Sequence, residues 1–246
     1  MACAAAYWIQ DGVLSQGTPE AYFSGLIEKE HVISLVGGGG KSSLQRYLCA
    51  AFAKGGMKTA AITTTKICRP LHFCRTIEEC RPCWSAGEYA ICGEPYGENK
   101  LSMPDDAALA ALLAEADAIV VEADGAHGLP IKAPAPHEPV ILPQSDIVIA
   151  VMGLDALDEP VERVCHRPEQ VCALLCCDMQ HRLTCRDAVR MLLSQQGARK
   201  GVGERAFYAV LNKCDDARRL AMGEEILHIL RREGFARAVL TAGMHL

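Results

Sequence analysis

The sequence predicts an α/β domain built on a mainly parallel sheet with helices on both faces. Three observations carry that expectation. A short apolar run at 31–36 ends in four glycines and passes at once into the helix-forming stretch Leu44-Gln45-Arg46-Tyr47-Leu48. Further apolar runs at 58–63, 118–121, 146–152 and 205–211 read as buried strands, spaced by segments of helical character. The chain has 246 residues, enough for one large α/β layer structure with an ample core. We read residues 1–246 as a single domain, with room for a small helical insertion at about 154–203.

The stretch from Gly37 to Ser43, Gly-Gly-Gly-Gly-Lys-Ser-Ser, organises the rest. A buried strand delivers the chain to glycines, which lack Cβ and let backbone N–H groups turn toward an anion. The helix that follows adds its N-terminal amides and dipole. In such a site Gly37, Gly38, Gly39 and Gly40 cradle phosphates, Lys41 reaches the terminal ones, and Ser42, followed by Ser43, completes the shell of a Mg²⁺ ion. The motif is shortened, because the glycine of a full G-x-x-x-x-G-K-[ST] would fall at Leu35. Loops of this shorter form resemble those of the Mur ligases. They also resemble the MinD-type P-loops, with Val36 where that class has an extra lysine. The expected fold is therefore a three-layer domain of P-loop type.

The elements follow in order. Thr18-Pro19-Glu20 is an N-cap, a proline and an acidic first turn, and starts a helix to about Glu30. After the loop the helix runs to about Lys54 and breaks at Gly55-Gly56. The strand from Lys58 ends in Thr63, Thr64, Thr65 and Lys66, which face a ligand if it sits beyond the carboxyl ends of the strands. Residues 68–99 lack a clear period, apart from one strand at 89–92. A helix from Pro104 to about Ala116 leads to an apolar strand that ends in Glu122 and Asp124. Carboxylates at such a strand end hold Mg²⁺. Both are candidates, Glu122 first.

Residues 126–143 contain five prolines and no helical period. Prolines deny regular pairing and hold the chain extended. With His127, Lys132, His137 and Glu138 among apolar residues, the segment reads as a fixed loop over the site that contacts a second substrate. Pro168 and Thr184 open two helices within 168–197. The strand at 205–211 runs directly into Asn212-Lys213-Cys214-Asp215, an N-K-x-D in which Asp215 can accept from guanine N1–H and N2–H₂ while the Lys213 stem lies along the base. Asp215-Asp216 also caps a helix to about Gly234, and 238–240 forms a last strand.

Composition narrows the classes of function. Charged residues are 22% of the chain and the formal net charge is −5, with no basic stripe for nucleic acid. No apolar run reaches the about 20 residues of a membrane span, and the first ten residues lack the charged start of a signal peptide. The expected compartment is the cytoplasm. There the 13 cysteines should be mostly free thiols in core positions. Neither Cys80/Cys83 nor Cys172/Cys176/Cys177/Cys185 has the second knuckle that zinc would want.

Several stretches together resemble one family: 32–43, Ile62-Thr-Thr-Thr-Lys-Ile67, the block from Val121 to Ile141, Met152-Gly-Leu-Asp-Ala-Leu157 and His166-Arg-Pro-Glu169. They are similar to the YqeC-type accessory proteins of selenium-dependent molybdenum hydroxylases. The resemblance implies a cytoplasmic maturation factor acting on such a hydroxylase or its selenium-containing cofactor. It also implies a site drawn from Gly37–Ser43, Thr63–Lys66, Glu122–Gly125, Lys132, His137, Glu138, Asn212 and Asp215. The expected cofactors are Mg²⁺ and ATP or GTP. Three activities stay open: nucleotide hydrolysis, a small-molecule kinase or ligase, and a nucleotide-gated carrier without chemistry.

Overall fold

The computed structural model describes residues 4–27 and 31–244. Strands β1 (Ala5–Gln10) and β2 (Val13–Gly17) form a hairpin turned by Asp11 and Gly12, both at positive φ. That Asp-Gly pair matches the twist of a two-residue hairpin turn. Helix α1 (Pro19–Ile27) follows, with Thr18 accepting from the Ala21 N–H; the end expected at about Glu30 lies outside the described residues. Next come β3 (His31–Gly37), α2 (Lys41–Lys54) and β4 (Thr59–Thr63). The stretch expected to be irregular contains β5 (Ile67–Cys68), α3 (Ile77–Ser85), β6 (Ala90–Ile91), β7 (Glu94–Tyr96) and β8 (Lys100–Ser102). Strands of two or three residues are too short to show alternation, and Pro82 inside α3 hides the helix.

Helix α4 (Asp106–Glu115), capped by Asp105, leads to β9 (Ala118–Glu122) and β10 (Ile131–Lys132). Strand β11 (Ile147–Gly153) precedes α5 (Val161–Val164), β12 (Cys165–His166) and α6 (Pro168–Leu175). Helix α7 (Cys185–Leu193) opens with a capping box between Thr184 and Asp187. Strand β13 (Ala206–Asn212), α8 (Ala217–Arg232) capped by Asp216, and β14 (Ala238–Ala242) complete the chain.

The main sheet runs β2-β1-β14-β13-β11-β3-β9-β4-β6. From β14 to β6 every pairing is parallel, and the β1–β2 hairpin adds an antiparallel edge. Alternate residues of the central strands serve opposite layers. Ile33, Leu35, Ile149 and Val151 pack with Phe23 of α1 and with Leu44, Leu48 and Phe52 of α2. Val148, Ala150 and Met152 pack with Val171, Met191, Leu192, Ile226 and Leu230 of α6–α8. On that second face Ile62, Ile119 and Val121 meet Cys80 of α3 and Leu112 of α4. Burying a side chain of the size of Leu48 is worth about 1.5–3 kcal/mol. No helix among the described residues is long and apolar enough to cross a membrane.

Strand order reverses direction at β3. The chain moves to β4 and β6 on one side, fills β9 between, and then builds β11, β13 and β14 on the other. Ligands of open α/β sheets sit beyond the carboxyl ends at such a point. Register lines up the ends there. Thr63 and Leu35 both lie opposite Glu122, Gly37 lies opposite Val151, and Gly153 opposite Asn212.

Candidate functional site

The glycine loop sits at this edge and fits because it has no side chains. Gly37, Gly39 and Gly40 have φ of 96°, 77° and 124°. A Cβ at Gly37 would stand 2.3 Å from Val151 O, one at Gly39 2.2 Å from Gly153 N, and one at Gly40 2.3 Å from Asn212 Nδ2. The amides differ from the simple cradle expected of them. Gly37 N–H donates to Asp124 Oδ2 (3.0 Å), Gly38 N–H to Val151 O (2.9 Å) and Gly39 N–H to Leu129 O (3.1 Å). Three of the four glycine amides are thus spent on anchoring the loop, and the N-terminus of α2 carries no side-chain cap.

Lys41 and Asp124 are buried together, at 5% and 2% exposure. Lys41 Nζ donates to Gly37 O at 2.5 Å and lies 3.2 Å from Asp124 Oδ1. That oxygen is buried without a hydrogen bond. Ser42 donates to Glu122 Oε2 at 2.8 Å, and Ser43 follows it in the first turn of α2. Burial pushes the Glu122 carboxyl up, against the pull of Lys41 and the Ser42 hydrogen bond. Next to Glu122, Thr63 donates to Glu122 O (3.0 Å) and its hydroxyl meets that of Thr65 at 3.1 Å. Thr64 donates to Val140 O (2.8 Å), tying the strand end to the proline-rich loop. Lys66 is exposed and stacks 3.7 Å above the Tyr96 ring, in the small β5-β8-β7 sheet. Lys66, expected to face a ligand with Thr63, Thr64 and Thr65, is directed at Tyr96 instead.

The proline-rich loop delivers a second lysine to the same carboxylate. Lys132 Nζ is 3.2 Å from Asp124 Oδ2, 2.6 Å from Glu138 Oε2, and donates to Gly125 O at 2.7 Å. Glu138 is also held by Arg167, through Nη1 at 2.7 Å and Nη2 at 3.2 Å. Burial raises this carboxyl, but hydrogen bonds from Arg167 and Lys132 outweigh it and hold the pKa down at about 2. The prolines do not exclude pairing altogether. Lys132 and Ile131 form the short parallel ladder of β10 with β12. His127, exposed and at φ 52°, stacks on His166 with centroids 4.6 Å apart. His137 is exposed. A shallow cleft runs behind Gly37 and Gly38, between Asp124, Lys132 and the apolar Ile131, Met152 and Met191.

Reading the residues missed His166 and Arg167 as site members. The only signal was their place in the recognised His-Arg-Pro-Glu stretch. Asn212 is buried and donates to Gly39 O (2.9 Å) while accepting from Thr241 (3.0 Å), so it braces the loop. Lys213, at φ 65°, pairs with Asp155 at 2.6 Å. Asp215 accepts from Gly243 N–H at 3.1 Å and lies 3.9 Å from Arg219.

All twelve described cysteines are free thiols. Cys74, Cys80 and Cys92 are buried in one apolar cluster with Cys83 against it. Burial pushes Cys185 up to about 12, leaving it protonated at neutral pH. No group of three or more His, Cys, Asp and Glu among the described residues is arranged for a metal ion.

Fold and site together define an α/β protein with a glycine–lysine loop at the switch point of a parallel sheet. The sequence pattern of the family described as YqeC protein matches residues 33–169. Over 208 residues the chain is 32% identical to "Uncharacterized protein YqeC" of Escherichia coli strain K12, covering 78% of this chain and 81% of that one. The chain belongs to the YqeC family. No solved structure matches it. The family match spans the loop, Glu122, Asp124, the proline-rich loop and Arg167, and ends before Asn212.

Proposed function

We propose that the chain binds the phosphates of a nucleoside triphosphate with Mg²⁺ at the N-terminus of α2 and hydrolyses it, as an accessory protein in maturation of a selenium-dependent molybdenum hydroxylase or its cofactor. One observation carries the binding reading. Asp124 Oδ1 is buried without a hydrogen bond, 3.2 Å from Lys41, beside an uncapped helix start. A buried lysine held by a carboxylate and a carbonyl beside bare helix amides can give its charge to a phosphate that also meets those amides. The hydroxylase role rests on the family resemblance alone.

The residues fit Mg²⁺. Ser42, Glu122 and Asp124 offer hard oxygens, and Mg²⁺ commonly takes one or two carboxylates together with phosphate and water. When bound, the ion would neutralise phosphate charge. Lys41 exchanges Gly37 O and Asp124 for the terminal phosphates, and the Thr63–Thr65 hydroxyl pair orients water. Asn212 holds the loop, and Lys213 with Asp215 faces the base, which leaves ATP and GTP as the two candidates.

A second reading is supported by the sharing of Asp124 between Lys41 and Lys132. It couples the phosphate loop to the Lys132–Glu138–Arg167 cluster, as transfer to a small acceptor by a kinase or ligase requires. Calorimetric titration of ATP and GTP with Mg²⁺ into wild type, Lys41→Ala and Asp215→Ala tests the first reading. Binding lost in Lys41→Ala supports it, and no binding to folded wild type overturns it. Phosphate release raised by the client hydroxylase favours the accessory role, whereas a phosphorylated small product favours the transferase.

A further inference from the structure

The charge network that begins at Lys41 ends at Arg167, and beside it in the β10–β12 ladder stand two imidazoles with no assigned task. From Lys41 it passes through Asp124, Lys132 and Glu138 to Arg167, each step a contact of 3.2 Å or less. Strand register sets His166 opposite Lys132, so both side chains leave the same side of the β10–β12 ladder. His127 stacks on His166 at an interplanar angle of 17°. Among the described residues neither ring has a hydrogen-bond partner, so their nitrogens are available. Two residues here adopt left-handed backbone without being glycine, His127 at φ 52° and Arg167 at φ 61°. Such conformations are strained and persist where the surroundings impose them.

The groups facing His166 are Arg167, His127, Lys132 and Glu138. Burial comes first, and the charges of Arg167, His127 and Lys132 add to it in pushing the imidazole below its ordinary pKa, with Glu138 opposing. A ring kept neutral beside cations has a lone pair to offer at neutral pH, which is what a general base requires.

We propose that His166 is the proton acceptor for the attacking water, and that His127 positions it by stacking. The inference rests on the nucleotide reading above. The attacking oxygen bonds to the terminal phosphorus as its proton passes to the free nitrogen of His166. The bond from that phosphorus to the bridging oxygen breaks, and the nucleoside diphosphate leaves with the electron pair. His166 then returns the proton to solvent. Arg167 positions Glu138, and with it the proline-rich loop, without touching the reacting atoms.

The test uses full-length wild type, His166→Phe, which keeps the stack, and His166→Gln, which keeps a polar group. Each is titrated calorimetrically with Mg–ATP and Mg–GTP and assayed for phosphate release across pH 5–9. The expected result is unchanged nucleotide affinity in both variants, release slowed about 10²–10⁴-fold, and loss of the acidic limb of the wild-type pH profile. Release within threefold of wild type in either folded variant overturns the role of His166 and leaves the nucleotide reading standing. Wild type that binds nucleotide but releases no phosphate also overturns it. Wild type that binds neither nucleotide removes both.

Discussion

Two loops bring a lysine each to Asp124, and they are built from opposite backbone chemistries. The Gly37–Gly40 loop works through absence, since three of its four residues have positive φ and a Cβ at any of the four would collide with a neighbouring strand or loop. The 126–143 loop works through restriction, with five prolines and ion pairs that fix Lys132 and Glu138. A glycine loop is set by what surrounds it, whereas a proline loop is preset and then latched. A change in the first should disturb packing directly. A change at a proline in the second should act chiefly through the unfolded chain.

The largest expected effect breaks the shared anchor. Asp124→Ala leaves Lys41 and Lys132 buried without their common carboxylate, and should cost about 3–5 kcal/mol in urea unfolding; a loss below 1 kcal/mol would show that the two loops are not coupled through it. Gly39→Ala comes next. Its φ of 77° and the 2.2 Å approach to Gly153 N should cost about 2–3 kcal/mol and abolish calorimetric nucleotide binding. By contrast, exposed Pro136→Ala should cost only about 0.4–1 kcal/mol and spare binding. Equal costs at Gly39 and Pro136 would erase the distinction.

Acidity separates the two carboxylates that flank the anchor. Glu138 has a folded pKa of about 2 against 4.5 unfolded. Its contribution is present above pH 4.5 and is lost as pH falls toward 2, so Glu138→Gln should flatten the acid limb of the stability curve. Glu122 is shifted upward, so its contribution has the opposite sign, present below pH 4.5 and lost as pH rises through its folded value. In Mg²⁺-free buffer Glu122→Gln should therefore melt higher than wild type at pH 7 while losing the Mg²⁺ dependence of nucleotide binding. A lower melting point would contradict that sign.

Much of the architecture was legible. Apolar runs at β3, β4, β9, β11 and β13 are long enough to announce buried parallel strands, and Thr184 and Pro168 mark helix starts by chemistry alone. The β1–β2 hairpin went unread although Asp11-Gly12 is its signal, because too little alternation flanks it. Strands β5, β7 and β8 were beyond reach because two or three residues carry no period.

By itself the sequence determined the layered α/β class, the glycine–lysine loop and the carboxylates at the end of β9, because each is a local pattern of backbone freedom, polarity and order. Only the tertiary structure decided that the glycine amides are spent on Asp124, Val151 and Leu129, that Lys66 turns to Tyr96, and that His166 and Arg167 join residues about 30–40 positions earlier. The physical reason is that burial and pairing of charge depend on partners far along the chain. Asp124 could be read as an acid from its letter, but the two lysines that neutralise it, Lys41 and Lys132, stand 91 residues apart in the chain.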